Sequence, residues 1–187
     1  MLAISHDSHF TQVLQLQHVG EVALVVTQLD AGMPLTEYLA SRDKPLSFTA
    51  IRSILGEVVE AFHVLQKDSL THFSINTDTV RLTRNGVEIA EAPISVMLAD
   101  TSRSQVTESK EQLAIRQVAA LLYSLLTRQP STLSTDFRLE AIAPNVPMEF
   151  RVICKRGLNL KEKAGFPPVP MATVAELEAL VGDYQPL

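Results

Sequence analysis

The stretch VAALLYSLL, residues 118 to 126, carries no charged residue, and Ser109 with Gln112 stands at the head of the segment leading into it. In S-x-x-Q, a Ser hydroxyl and a Gln side chain reciprocally satisfy free N–H groups in the first turn of a helix. Ile115, Val118, Ala119, Leu122 and Leu125 then recur at helical steps. A helix with no charged face has no side to turn toward water, so it must be central and buried on most sides. Arg128-Gln129-Pro130 ends it. The rest of the chain therefore has to supply apolar surfaces that wrap this helix.

A second helix is equally legible. Ser47 is a good N-cap, and Ile51, Ile54, Leu55, Val58, Phe62 and Leu65 repeat every three or four positions, which predicts a helix over 48–67. Pro147 opens a shorter helix to about Lys155 that Gly157 closes, and Thr173 with Glu176 forms a further capping box before a last helix ended by Gly182. Residues 35–41 suit a short helix. Strands are expected at 11–18 (TQVLQLQH), where alternation suggests a half-buried strand with Val13 out of phase. They are also expected at 21–28 (EVALVVTQ), whose β-branched run suits a more buried one. Asn85-Gly86 between Val80/Leu82 and Val87/Ile89 is a strong hairpin signal, both residue types tolerating positive φ. Residues 92–107 are rich in Ser and Thr and read as an exposed loop. The fold class is α+β, mainly α.

A chain of 187 residues, 46% hydrophobic and 20% charged, is ordinary for a globular domain. No apolar run reaches the roughly 18 residues needed to span a bilayer, and the amino-terminal sequence lacks a signal-peptide pattern, so a cytoplasmic setting is expected, or the cytosolic domain of a membrane protein. The net charge of −5 argues against a nucleic-acid partner. Cys154 is the single cysteine and reads as a small buried hydrophobe. Glu60-x-x-His63 has half the spacing of a di-iron site without a second pair, and no zinc spacing exists, so neither metal nor cofactor is expected.

The order of these segments, with their local sequences, resembles a protein kinase from the fourth strand of its small lobe to the end of its large lobe. EVALVVTQLDAGMPLTEYL is similar to the fifth strand, hinge and following helix. FTAIRSILGEVVEAFHVLQ is similar to the long large-lobe helix. LTHFSINTDTVRLTRNGVEIAEAP is similar to the catalytic loop, its hairpin and the metal-binding turn. IRQVAALLYSLLTRQP is similar to the buried central helix, and MATVAELEALV to the closing one. The resemblance implies a remnant of small-lobe strands and hinge over 1–30 and a kinase-like large lobe over 31–187.

It also implies a silent enzyme. Where kinases read H-R-D-x-x-x-x-N, this chain reads His72-Phe73-Ser74-Ile75-Asn76-Thr77-Asp78-Thr79. Ser74 stands at the position of the base and Thr79 at that of the metal-binding Asn. D-F-G becomes Glu91-Ala92-Pro93, whose carboxylate sits on a longer arm, and no Gly-rich loop or V-A-I-K strand occurs. Within kinase relatives, the pattern resembles the intracellular pseudokinase domain of the bacterial MviN/MurJ lipid II flippases. That resemblance implies a regulatory, protein-binding scaffold in the control of peptidoglycan precursor export. It further implies phosphorylation by a Ser/Thr kinase and reading of the phosphothreonine by a forkhead-associated domain. Thr101 and Thr107, in the 92–107 loop, are the candidate phosphosites, while Thr173 is already explained as a cap. A non-catalytic nucleotide-binding switch and an unrelated α+β interaction module stand as alternatives.

Overall fold

The computed structural model describes residues 8–28, 31–67, 70–71, 74–90, 94–95, 109–131, 135–160 and 167–187. Strands β1 (Val13–Val19) and β2 (Val22–Thr27) form an antiparallel hairpin. The chain continues through β3 (Met33–Pro34), α1 (Leu35–Ala40), α2 (Phe48–Lys67) and β4 (Leu70–Thr71). Strands β5 (Val80–Thr83) and β6 (Gly86–Ile89) form a second hairpin, and β7 (Ile94–Ser95) pairs with β4. Helices α3 (Lys110–Thr127), α4 (Met148–Gly157) and α5 (Val174–Val181) complete the order, with a 3-10 turn at Leu139–Ala141. The class is α+β. Among the described residues no helix is long and apolar enough to cross a membrane.

Helix α3 sits where its uncharged face demands. It packs against α2, α4 and α5, and Ile115, Val118, Ala119, Leu121, Leu122 and Leu125 are each 0–1% exposed. The capping box forms in full, Ser109 Oγ accepting from Gln112 N and Gln112 Oε1 accepting from Ser109 N, both at 3.1 Å. Ser124, buried in this helix, donates to Ala120 O and accepts from Ser131 N, tying the following chain back to the helix. Arg128 caps the end in a left-handed conformation, and its guanidinium donates to Asp43 O, Leu39 O and Arg42 O around the end of α1.

Helix α2 starts at the expected residue, Ala50 N donating to Ser47 Oγ. Its buried face includes a carboxylate. Glu57, 5% exposed, accepts from Val87 N at 2.7 Å and from Leu187 N at 2.9 Å. These bonds join the helix to the β5–β6 hairpin and to the end of the chain. Gly86 makes the approach feasible, since a β-carbon there would lie 2.4 Å from Glu57 Oε2. The Asn-Gly signal locates the hairpin correctly, but the turn differs. Arg84 and Asn85 form it with negative φ, and only Gly86, the first residue of β6, takes positive φ (116°). The register runs unbroken to Thr83 and Gly86, so Arg84-Asn85 make a two-residue turn with no bulge.

Other expectations are corrected. Gly157 does not close α4 through conformational freedom; it is the last residue of the helix, and a β-carbon there would sit 2.6 Å from Ala119 Cβ. Its role is close packing of α4 on α3. The second capping box is half formed, with Thr173 Oγ1 accepting from Glu176 N, while the Glu176 carboxylate accepts from Ala172 N and pairs with Arg156 at 2.5 Å. The β1–β2 hairpin is the larger departure. Val22, Leu24, Val25 and Val26 are 41–58% exposed and Leu14 is 59% exposed, where half-buried and buried strands are expected. The phase error at Val13 has a physical cause, a register shift between Val13 and Gln15 that places a bulge at Leu14.

Replacing Glu57 by Ala strands two backbone donors and should lower unfolding free energy by about 2–4 kcal/mol, with Glu57→Gln costing less. Chemical denaturation of the three proteins checks this.

Candidate functional site

Loop 74–79 is held on three sides: Thr36 N, at the start of α1, donates to Thr77 O (2.9 Å), Val80 opens β5, and Ile75 is buried in the core at 3% exposure. Asn76 organises it as an Asx-type turn. Its Oδ1 accepts from Asp78 N (2.8 Å) and Thr79 N (3.2 Å), and its Nδ2 donates to Ser74 Oγ (3.0 Å). Thr79 Oγ1 donates to Ser74 O at 2.6 Å and accepts from Asn76 N at 3.1 Å. Ser74 and Thr79, which sequence reasoning singles out, are therefore brought together, and each is hydrogen-bonded within the loop. The carboxylate of the loop is also engaged, Asp78 Oδ1 accepting from Thr36 Oγ1 at 2.6 Å. The bonds of Ser74, Asn76 and Thr79 to one another stiffen the turn.

Glu91, His72, Phe73, Thr101 and Thr107 lie outside the described residues.

Behind the loop, the β5–β6 hairpin has an apolar and a polar face. Val80, Val87 and Ile89 enter the core, whereas Arg81 and Glu88 stand opposite each other across the strands, each only 7% exposed. Two segments cover this polar layer. On one edge β3 pairs with β5, and Arg81 donates to Gly32 O at 2.7 Å. On the other, Thr11 N donates to Ile89 O and Thr11 Oγ1 lies 3.2 Å from Glu88 Oε1. The space between the 31–34 segment and the hairpin is thus spanned by a guanidinium. Sequence reasoning misses Arg81 and Glu57. The only signal available is a charged residue inside an otherwise apolar pattern.

Arginine side chains elsewhere follow the same habit. Arg52 donates to Val181 O, Arg151 to Ile142 O and Ala143 O, and Arg156 to Val169 O and Pro170 O. They bind backbone carbonyls of this chain, so these guanidiniums are spent on joining its segments.

A cleft of about 450 Å³ between α2 and α5 is lined by Gly56, Val59, Glu60, Glu178, Asp183 and Tyr184. Burial raises the Tyr184 phenol above its ordinary range, with the Glu60 hydrogen bond acting the same way, so the phenol stays protonated. Glu60 lies 3.5 Å from His9 Nε2, and His63 Nε2 lies 3.2 Å from Glu178. Glu60 and His63 are thus directed to different partners, and among the described residues no trio of His, Cys, Asp or Glu converges as a metal requires. A cleft lined by three carboxylates and no cation repels phosphate.

Cys154 is fully buried on α4 with its Sγ 4.0 Å from Ala119 O, and burial pushes its thiol far up. A thiol reagent should therefore label Cys154 only as fast as the core opens, with complete reaction in denaturant; rapid labelling of the native protein would contradict this. No protein-family model matches the chain, and comparison with curated proteins finds no match either.

Proposed function

We propose that this chain is a catalytically silent, kinase-like domain that acts as a regulatory scaffold for other proteins. The observation that carries the reading is loop 74–79. The residues at the base and metal-ligand positions of a kinase pattern, Ser74 and Thr79, bond to each other's segment, and Asp78 is held by Thr36. Phosphoryl transfer needs an acceptor for the substrate proton and ligands for the metal, and the aligned positions hold the hydroxyls of Ser74 and Thr79 in place of a carboxylate and an amide. Long-range packing supports the kinase-like part of the proposal. Helix α2 lies beside the Asn-Gly hairpin and is bonded to it through Glu57, an arrangement that a chance mimic of the element order has no reason to reproduce.

Scaffold is favoured over nucleotide switch by Arg81. In the proposed alignment the hinge precedes α1 and the hairpin lies beneath it, so a nucleotide would enter where the Arg81 guanidinium reaches Gly32 O. In this reading regulation comes through modification. A Ser/Thr kinase phosphorylates Thr101 or Thr107, the added charge of about −1.5 to −2 creates an anchor for an arginine-lined reader, and a forkhead-associated domain docks there. Control of peptidoglycan precursor export is the setting that the flippase resemblance proposes.

Thermal unfolding with and without Mg²⁺-ATP separates the two readings. A ligand at about a hundred times its Kd adds roughly 2.7 kcal/mol of stability. The scaffold reading expects no change in Tm. A saturable rise that Arg81→Ala strengthens would favour the switch.

A further inference from the structure

We propose that the outer edge of β2 pairs with β2 of a second copy of this chain, joining two hairpins into one four-stranded antiparallel sheet. This inference does not rest on the kinase-like reading. Its starting point is that β1 and β2 form a sheet of their own, joined to no other strand among the described residues. A lone two-stranded hairpin is marginal in water, and stability normally comes with a third strand or a packed face. Here both faces expose aliphatic side chains: Val19, Val22, Leu24 and Val26 on one, at 41–61%, and Val25 on the other, at 44%.

The size of the hairpin decides what kind of contact it can make. Strands of this length are about 20 Å long, and two of them side by side are about 10 Å wide, so each face offers roughly 200 Å². That is far below the roughly 800 Å² per partner of a standard interface, so a globular partner seated on one face would be poorly held. The edge offers more. Alternate residues along β2 turn their backbone N–H and C=O groups away from β1, and an added strand would satisfy them. Natural edges are usually guarded by Lys, by Pro or by inward charges, and neither VLQLQHV nor VALVVT contains a Lys, Arg, Asp, Glu or Pro.

The same absence of charge points to a second copy. The chain as a whole carries −5 and repels itself, but the strands contribute nothing to that repulsion. Glu21 lies in the turn, and antiparallel pairing carries the two turns to opposite ends of the joined sheet. A charged partner strand would find no counter-charge along β2. An antiparallel self-pairing centred on Leu24 places Leu24 against its own copy and Val22 against Val26, all on one face. This is an isologous, two-fold contact. It merges the Val22–Leu24–Val26 rows of the two copies into a single apolar strip. β1 suits the role less well, since Gln15 and Gln17 occupy the matching face. The small area makes the dimer weak and concentration-dependent.

Sedimentation velocity from micromolar to millimolar concentration tests the proposal, with circular dichroism confirming that each variant keeps its fold. The wild-type protein should pass from monomer to dimer. Leu24→Lys sets like charges face to face at the two-fold axis and should weaken the dimer about tenfold or more. Carrying Val22→Glu and Val26→Lys together should keep dimerisation, since each Glu then meets a Lys, whereas Val22→Glu with Val26→Glu should abolish it. A wild type that stays monomeric throughout overturns the proposal, even if its hairpin binds a different protein. So does a dimer indifferent to Leu24→Lys, or one equally weakened by both double variants.

Discussion

Glu57 is a carboxylate inside the core, and the arrangement of the site depends on how it is satisfied. An unpaired charge there would cost several kcal/mol, and the two backbone N–H groups of Val87 and Leu187 offset that cost only if the hairpin and the segment carrying Leu187 are both in place. The bond to Val87 fixes the β5–β6 hairpin against α2. The hairpin in turn fixes loop 74–79 at one of its ends and, through β3, the segment entering α1. One helix residue thus ties α2 to the hairpin that carries loop 74–79. The tight approach of Gly86 is part of the same device, because any side chain there would push the carboxylate away.

Around this frame the polar groups bond locally: Ser74, Asn76 and Thr79 to one another, Asp78 Oδ1 to Thr36, and an Arg81 N–H to Gly32 O. The arginines that bind helix-end and loop carbonyls follow the same logic. They stabilise connections in a fold whose helices are joined by irregular segments.

Local signals in the sequence are legible because their physics is local. Ser47, Ser109 with Gln112, and the apolar repeat of α2 carry their own partners within a turn or two, so the helix starts and the burial of α3 are legible. Asn85-Gly86 likewise locates its hairpin, although not its turn type, and the approach of the distant Glu57 to Gly86 leaves no local signal. Gly157 was legible as a helix end but not as a contact with Ala119 on another helix. The exposure of β2 was illegible in principle, since a β-branched run reports a need for cover and not the identity of the cover. Within the site, Ser74 and Thr79 were visible only through a family pattern, and the Arg81–Gly32 contact spans too much sequence for spacing to reveal.

In the proposed reading, loop 74–79 moves no phosphate. Incubation of the purified protein with γ-labelled Mg²⁺-ATP, alone and with a generic protein acceptor, puts this to the test. No incorporation above that of a heat-denatured control is expected. Label that enters either protein and disappears in Asp78→Asn, whose fold is intact, would contradict it.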